Sequence, residues 1–123
     1  MTEQSIRDFR DLIVWQKAIA LAKEAYRLTR AFPREERFGL TLQIRRAAVS
    51  VSSNIAEGHA RQGREFANFL SIARGSLAEV QSQFLLAVEL GYLSPQSLST
   101  ALDLISEIQK MLASLARKLS TSA

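Results

Sequence analysis

Inside the stretch "RRAAVSVSSNIAEGHAR", Arg45 to Arg61, four hydroxyl or amide side chains (Ser50, Ser52, Ser53 and Asn54) fall within five residues. Two arginines precede them, and Glu57, Gly58 and His59 follow. Such residue types could serve a serine nucleophile, a phosphate-binding loop, or a surface where two backbones pack closely. A serine nucleophile needs a base within hydrogen-bond reach and a third group to orient that base. The single histidine, His59, lies nine residues after Ser50 and six after Ser53. On a helix, facing side chains are three or four positions apart, so neither spacing pairs them. "NIAEGHARQG" matches neither phosphate-loop glycine pattern and follows no strand signal. There is no cysteine and no Glu-x-x-His ligand pattern. No catalytic residue, cofactor or metal is therefore expected, and the protein reads as non-enzymatic.

The elements that carry this stretch are helices. Leu12, Trp15, Ile19, Ala22 and Tyr26 recur at helical spacing, and a second apolar line, Val14, Ala18, Leu21, Ala25 and Leu28, runs beside them. Leu40, Ile44, Ala48, Val51 and Ile55 mark the next segment, and Phe66, Leu70, Ala73, Leu77, Val80, Phe84 and Val88 the one after it. Leu98, Leu102, Ile105, Ile108, Leu112, Leu115 and Leu119 form a near-heptad seam in the last. Breaks are expected at Pro33, near Gly63, and at "GYLSP". There Gly91 can end a helix in left-handed conformation, Ser94 can cap the next, and Pro95 can occupy its first turn. The helices are placed at about 9–31, 34–61, 64–90 and 95–120, with the closing "STSA" expected to fray. Short links make consecutive helices antiparallel. The predicted fold is all-α: a single up-down-up-down four-helix bundle over residues 1–123.

A chain of 123 residues suits one domain. Its polar N-terminus is unlike a signal peptide, and no apolar run reaches the ~20 residues needed to span a bilayer. A cytoplasmic location is expected, with no membrane partner. Sixteen basic against twelve acidic residues give +4. The excess lies before residue 64, where eleven basic residues face seven acidic ones.

The serine-rich stretch reads best as a packing surface. Ala47, Ser50 and Asn54 share one helical stripe, with Gln43 above and Glu57 below. Ala67, Ser71, Gly75, Ala78 and Ser82 form a similar stripe on the third segment. Glycine in mid-helix costs about 1 kcal/mol against alanine, a cost best explained by close approach of another backbone. Apolar residues also exceed what one bundle core uses, as in the second line of the first segment and in Leu42, Val49, Phe69, Ile72 and Leu85. The surplus predicts a homo-oligomer with Ala47, Ser50, Asn54, Glu57, Ser71 and Gly75 at the interface. Arg45, Arg46, Asn54, Glu57, Arg61 and Arg74 are expected to form a polar set joining the second and third helices, with Glu57 meeting Arg61 four residues on.

The order of residues adds a resemblance. "VWQKA" (Val14 to Ala18), "FP" with "FGL" (Phe32, Pro33; Phe38 to Leu40), "QIRRAAVSVSSNIAEG" (Gln43 to Gly58), "REFANFLSIARGSLAEV" (Arg64 to Val80) and "GYL" (Gly91 to Leu93) occur in order. Together they resemble the four-helix bundle family first noticed as reading frames inside intervening sequences of bacterial 23S ribosomal RNA genes. About two thirds of the chain carries the likeness, and the fourth helix is generic. The resemblance implies a ring-shaped homo-oligomer, with a pentamer the family expectation, and it implies no reaction. More distant relatives are accessory proteins of diversity-generating retroelements that bind nucleic acid and a reverse transcriptase. That analogy, with the net charge, makes Arg45, Arg46, Arg61 and Arg64 candidate phosphate contacts for RNA or DNA. Lys17, Lys23, Arg27 and Arg30 form a weaker set. Trp15 and Tyr26 read as core, so base stacking is not indicated. The alternative is a scaffold for an unidentified protein, with no nucleic-acid role.

Overall fold

A computed structural model describes residues 7–121 of the chain. Four α-helices follow one another: α1 Ile13–Thr29, α2 Leu40–Arg61, α3 Gly63–Glu89 and α4 Ser99–Thr121. No strand occurs among the described residues. In space α1 neighbours α2 and α4, and α3 neighbours the same two, which closes the bundle. Contacts between α2 and α3 run in opposite order along the two helices, from Gln43–Gln83 through Ser50–Ser76 to Gly58 beside Phe66. The pair is antiparallel, as its one-residue link demands.

The core follows the apolar spacing, with corrections on α1 and α4. Val14, Ala18, Leu21, Ala25 and Leu28 are the buried line of α1. The other line, Leu12, Trp15, Ile19 and Ala22, is half-buried, and Tyr26 is 42% exposed. Tyr26 is not core; its ring supports the Arg45 guanidinium, 4.5 Å above it. Ile44, Ala48, Val51 and Ile55 of α2 are fully buried, as are Leu70, Ala73, Leu77, Val80 and Phe84 of α3. In α4, Ala101 joins Ile105, Ile108 and Leu112 inside, while Leu102, Leu115 and Leu119 are only partly covered.

Helix starts differ from the expected ones. The segment expected over 9–31 opens as a 3-10 turn, Phe9–Asp11, capped by Asp8, and α1 begins only after an extended Leu12. The helix expected from residue 34 does not begin directly after Pro33. Pro33 precedes a 3-10 turn, Arg34–Glu36, and α2 starts beyond Gly39. Glu36 explains the delay: its carboxylate accepts from the Leu40 N–H at 2.9 Å and from the Tyr92 hydroxyl at 2.9 Å. One side chain thus caps α2 and ties it to the segment after α3. A side chain at Gly39 would meet the Glu36 carboxylate at 2.6 Å, so glycine suits this turn. The stop at Gly91 is as expected: φ is +81°, and the Gly91 and Tyr92 N–H groups donate to the Val88 and Ala87 carbonyls, both at 2.9 Å. Ser94 caps the 3-10 turn Pro95–Leu98 that leads into α4. The break expected near Gly63 is at Gln62, whose φ of +64° turns the chain from α2 to α3. Ser120 and Thr121 are helical despite the fraying expected over "STSA", whose last two residues lie outside the described range.

The Glu36 junction makes a pH prediction. The Leu40 N–H first, and the Tyr92 hydroxyl second, hold this carboxyl below the usual glutamate range. A carboxyl depressed in the folded state adds stability above its unfolded pKa and loses it as pH falls through the folded value. Stability is therefore expected to decline on acidification below the ordinary glutamate range, and Glu36→Gln to remove part of that decline. Melting curves between about pH 7 and about pH 3 check it, and parallel profiles for the two proteins would contradict it.

Candidate functional site

The serine-rich stretch lies on α2 against α3. Ser50 Oγ and Ser76 Oγ are 2.8 Å apart, and the Asn54 amide donates to the Ser50 carbonyl at 2.8 Å and to Ser50 Oγ at 3.0 Å. Ser52 turns its hydroxyl back to the Val49 carbonyl at 3.0 Å. His59 stands edge-on to the Phe66 ring, with centroids 5.8 Å apart. Ser50, Asn54 and Ser76 thus bond one another across the α2–α3 seam, which is packing chemistry, while Ser53 is exposed. Ser76→Ala is expected to lower stability by about 1 kcal/mol, since Ser50 keeps Asn54 as a partner. Denaturant melts measure it, and a loss above about 3 kcal/mol would mean the network is larger than drawn.

Gly58 is the close approach in this seam. A Cβ there would stand 2.9 Å from Phe66 Cδ1 and 2.9 Å from Phe69 Cβ. At Gly75 an added Cβ would meet nothing within 4 Å, so no backbone of the same chain explains that glycine. Gly58 and Ser76 are not among the residues expected at this seam. Each was signalled by position: Gly58 extends the Val51–Ile55 core spacing, and Ser76 lies three residues after the buried Ala73.

The expected interface residues divide. Ala47 is 7% exposed and belongs to the core of its own chain, so it offers little to another copy. Ser50 and Asn54 are half-buried in the intrachain seam. Ser71, Gly75, Ala78 and Ser82 are exposed on the outside of α3, with Ala67 half-buried. The two small-residue stripes therefore do not face each other. Beside the outer stripe stand exposed aliphatics: Ile72 at 51%, Leu85 and Leu86 at 47% and Leu90 at 50%.

The polar set also divides. Glu57 and Arg61 pair at 2.8 Å as expected, and Arg61 reaches on to Glu65 at 3.5 Å and over the Phe69 ring at 5.3 Å. Arg61 thereby fastens the α2–α3 turn. Arg45 does not join α2 to α3; its Nε donates to Thr29 Oγ1 at 2.8 Å, a contact with α1. Arg46, Arg64 and Arg74 are exposed and form no ion pair among the described residues. Arg46 and Arg61 are separated by about 22 Å of helix, so the four arginines read as phosphate contacts do not converge within one chain. No group of three or more metal-ligating side chains occurs among the described residues, and no helix there is long and apolar enough to cross a membrane.

Residues 10–114 match the family model described as 23S rRNA-intervening sequence protein. The chain belongs to this family. Its fold is similar to a crystal structure of a protein of unknown function from the S23 ribosomal protein family of Bacteroides thetaiotaomicron. That similarity has a TM-score of 0.74 at 25% identity, covering 84% of this chain and 97% of that one. No curated protein matches the sequence. Membership in the 23S rRNA-intervening sequence protein family accounts for the bundle and for the ordered motifs, and it names no reaction.

Proposed function

We propose that this protein is a non-enzymatic subunit that assembles with copies of itself into a closed ring, using the outward face of α3. The observation that carries the reading is the composition of that face. Exposed Ile72, Leu85 and Leu86, with Leu90 just past the helix end, flank a row of small side chains on a helix whose opposite side already fills the subunit core. Isolated exposed apolar residues are common, but a cluster such as Leu85, Leu86 and Leu90 at one end of a helix marks an interaction surface. Closed symmetric homo-oligomers are the usual outcome, and a pentamer is the count that the family resemblance implies. The cytoplasm is the compartment this reading assigns. Light scattering after size exclusion tests the reading: a mass several times the 13.7 kDa of one chain is expected at micromolar concentration.

Non-specific nucleic-acid binding is a second reading, favoured by Arg46 and Arg64, which are exposed without a carboxylate partner among the described residues. A ring would repeat them, and the +4 of each chain, around one assembly. Affinity for RNA or DNA should then fall steeply between about 50 and about 200 mM salt, and Arg46→Glu should flatten the slope. A salt-independent titration, or no binding at about 50 mM, removes this reading and leaves a scaffold for a protein partner.

A further inference from the structure

We propose that the copies join head to tail, with the outward face of α3 in one chain seated in the groove between α1 and α4 of the next. The proposal rests on the assembly reading above and adds which surface meets which.

The groove is open, about 860 Å³ in volume, and lined by half-buried Ile19, Ala20 and Leu104 with exposed Lys23, Arg27 and Arg30. Its one carboxylate, Glu24, is engaged by Arg27 at 2.7 Å. Lys23 and Arg30 form no ion pair among the described residues, so the groove presents apolar surface under net positive charge. The outward face of α3 is its complement. From Gly75 to Leu90 the chain carries two carboxylates, Glu79 and Glu89, and no basic residue, with exposed Arg74 just before this stretch. Both are exposed, on the same stretch as Leu85, Leu86 and Leu90. Glu79 and Glu89 are about 15 Å apart along the helix and Lys23 and Arg30 about 10 Å, a difference that long side chains span.

Charge also argues against the symmetric alternatives. Two Gly75–Leu90 stretches pressed together would bring four carboxylates into one seam, and two grooves together would oppose their cations. Like charges across an interface disfavour such pairings. Pairing ridge with groove removes both conflicts and uses each surface once per chain. An interface of this kind closes a ring whenever its rotation divides a full turn. The open space at Gly75 allows the ridge to settle against the groove without a side chain in between.

The test uses two full-length variants, each with one surface disabled: Lys23→Glu with Arg30→Glu in the groove, and Leu86→Arg on the ridge. Each alone should assemble at least a hundredfold more weakly and run as a single chain, with the circular dichroism of the parent. Mixed together, they should form a two-chain species and nothing larger, because one intact ridge then meets one intact groove. The proposal is overturned if the groove variant keeps the parent mass, if the mixture gives no two-chain species, or if the groove variant loses only RNA binding. A parent protein that is itself a single chain would overturn the assembly reading instead, which separates the two failures.

Discussion

Gly58→Leu is expected to destabilise the subunit by about 2 kcal/mol, while Gly75→Leu leaves its fold intact and disrupts its assembly. At Gly58 a Cβ already stands 2.9 Å from Phe69 Cβ, an atom fixed to the α3 backbone, and 2.9 Å from the buried Phe66 ring. The leucine methyls have nowhere to go unless α2 and α3 separate. Overpacking on that scale costs about 3 kcal/mol, from which the better helix propensity of leucine returns about 1. The melting temperature should fall by about 8 °C. At Gly75 the same gain in propensity meets no clash, so the subunit should unfold no more readily. Its mass in solution should fall instead, because the new side chain stands where a neighbouring copy must approach. Equal melting temperatures for the two variants would mean that α2 and α3 do not pack as described.

Leu86→Arg should weaken assembly by at least a hundredfold with little effect on folding. Leu86 is 47% exposed in the single chain, so its replacement leaves the core untouched. In an assembly, burying that side chain stabilises by about 2 kcal/mol, and an arginine there would also bury a charge beside cations. Losses of about 3 kcal/mol or more correspond to a hundredfold in affinity. Sedimentation velocity over a concentration series measures the shift. An unchanged distribution would remove α3 as the joining surface.

Much of the fold was legible because apolar residues three and four apart specify a helix whatever its neighbours do, and "GYLSP" encodes its own stop and restart. What was illegible needed the third dimension. On α1 both apolar lines have helical spacing, and only the positions of α2 and α4 decide which one is buried. At the second helix, Pro33 permitted an early start, and the delay came from a Glu36–Tyr92 bond spanning 56 residues. The candidate surface was half legible. The small stripe of α3 was visible in sequence, yet the stripe on α2 turned out to serve its own chain, because Ser50 found Ser76 across 26 residues. Arg45 likewise went to Thr29 and Tyr26, partners that no spacing on α2 announces.

The most direct test is the mass of the unmodified protein in solution at micromolar concentration. If α3 bears a surface made for another copy, light scattering will return an integral multiple of 13.7 kDa that holds on dilution until the copies dissociate together. A stable species of 13.7 kDa at every concentration would show that the outer aliphatic row of α3 needs no cover from this chain.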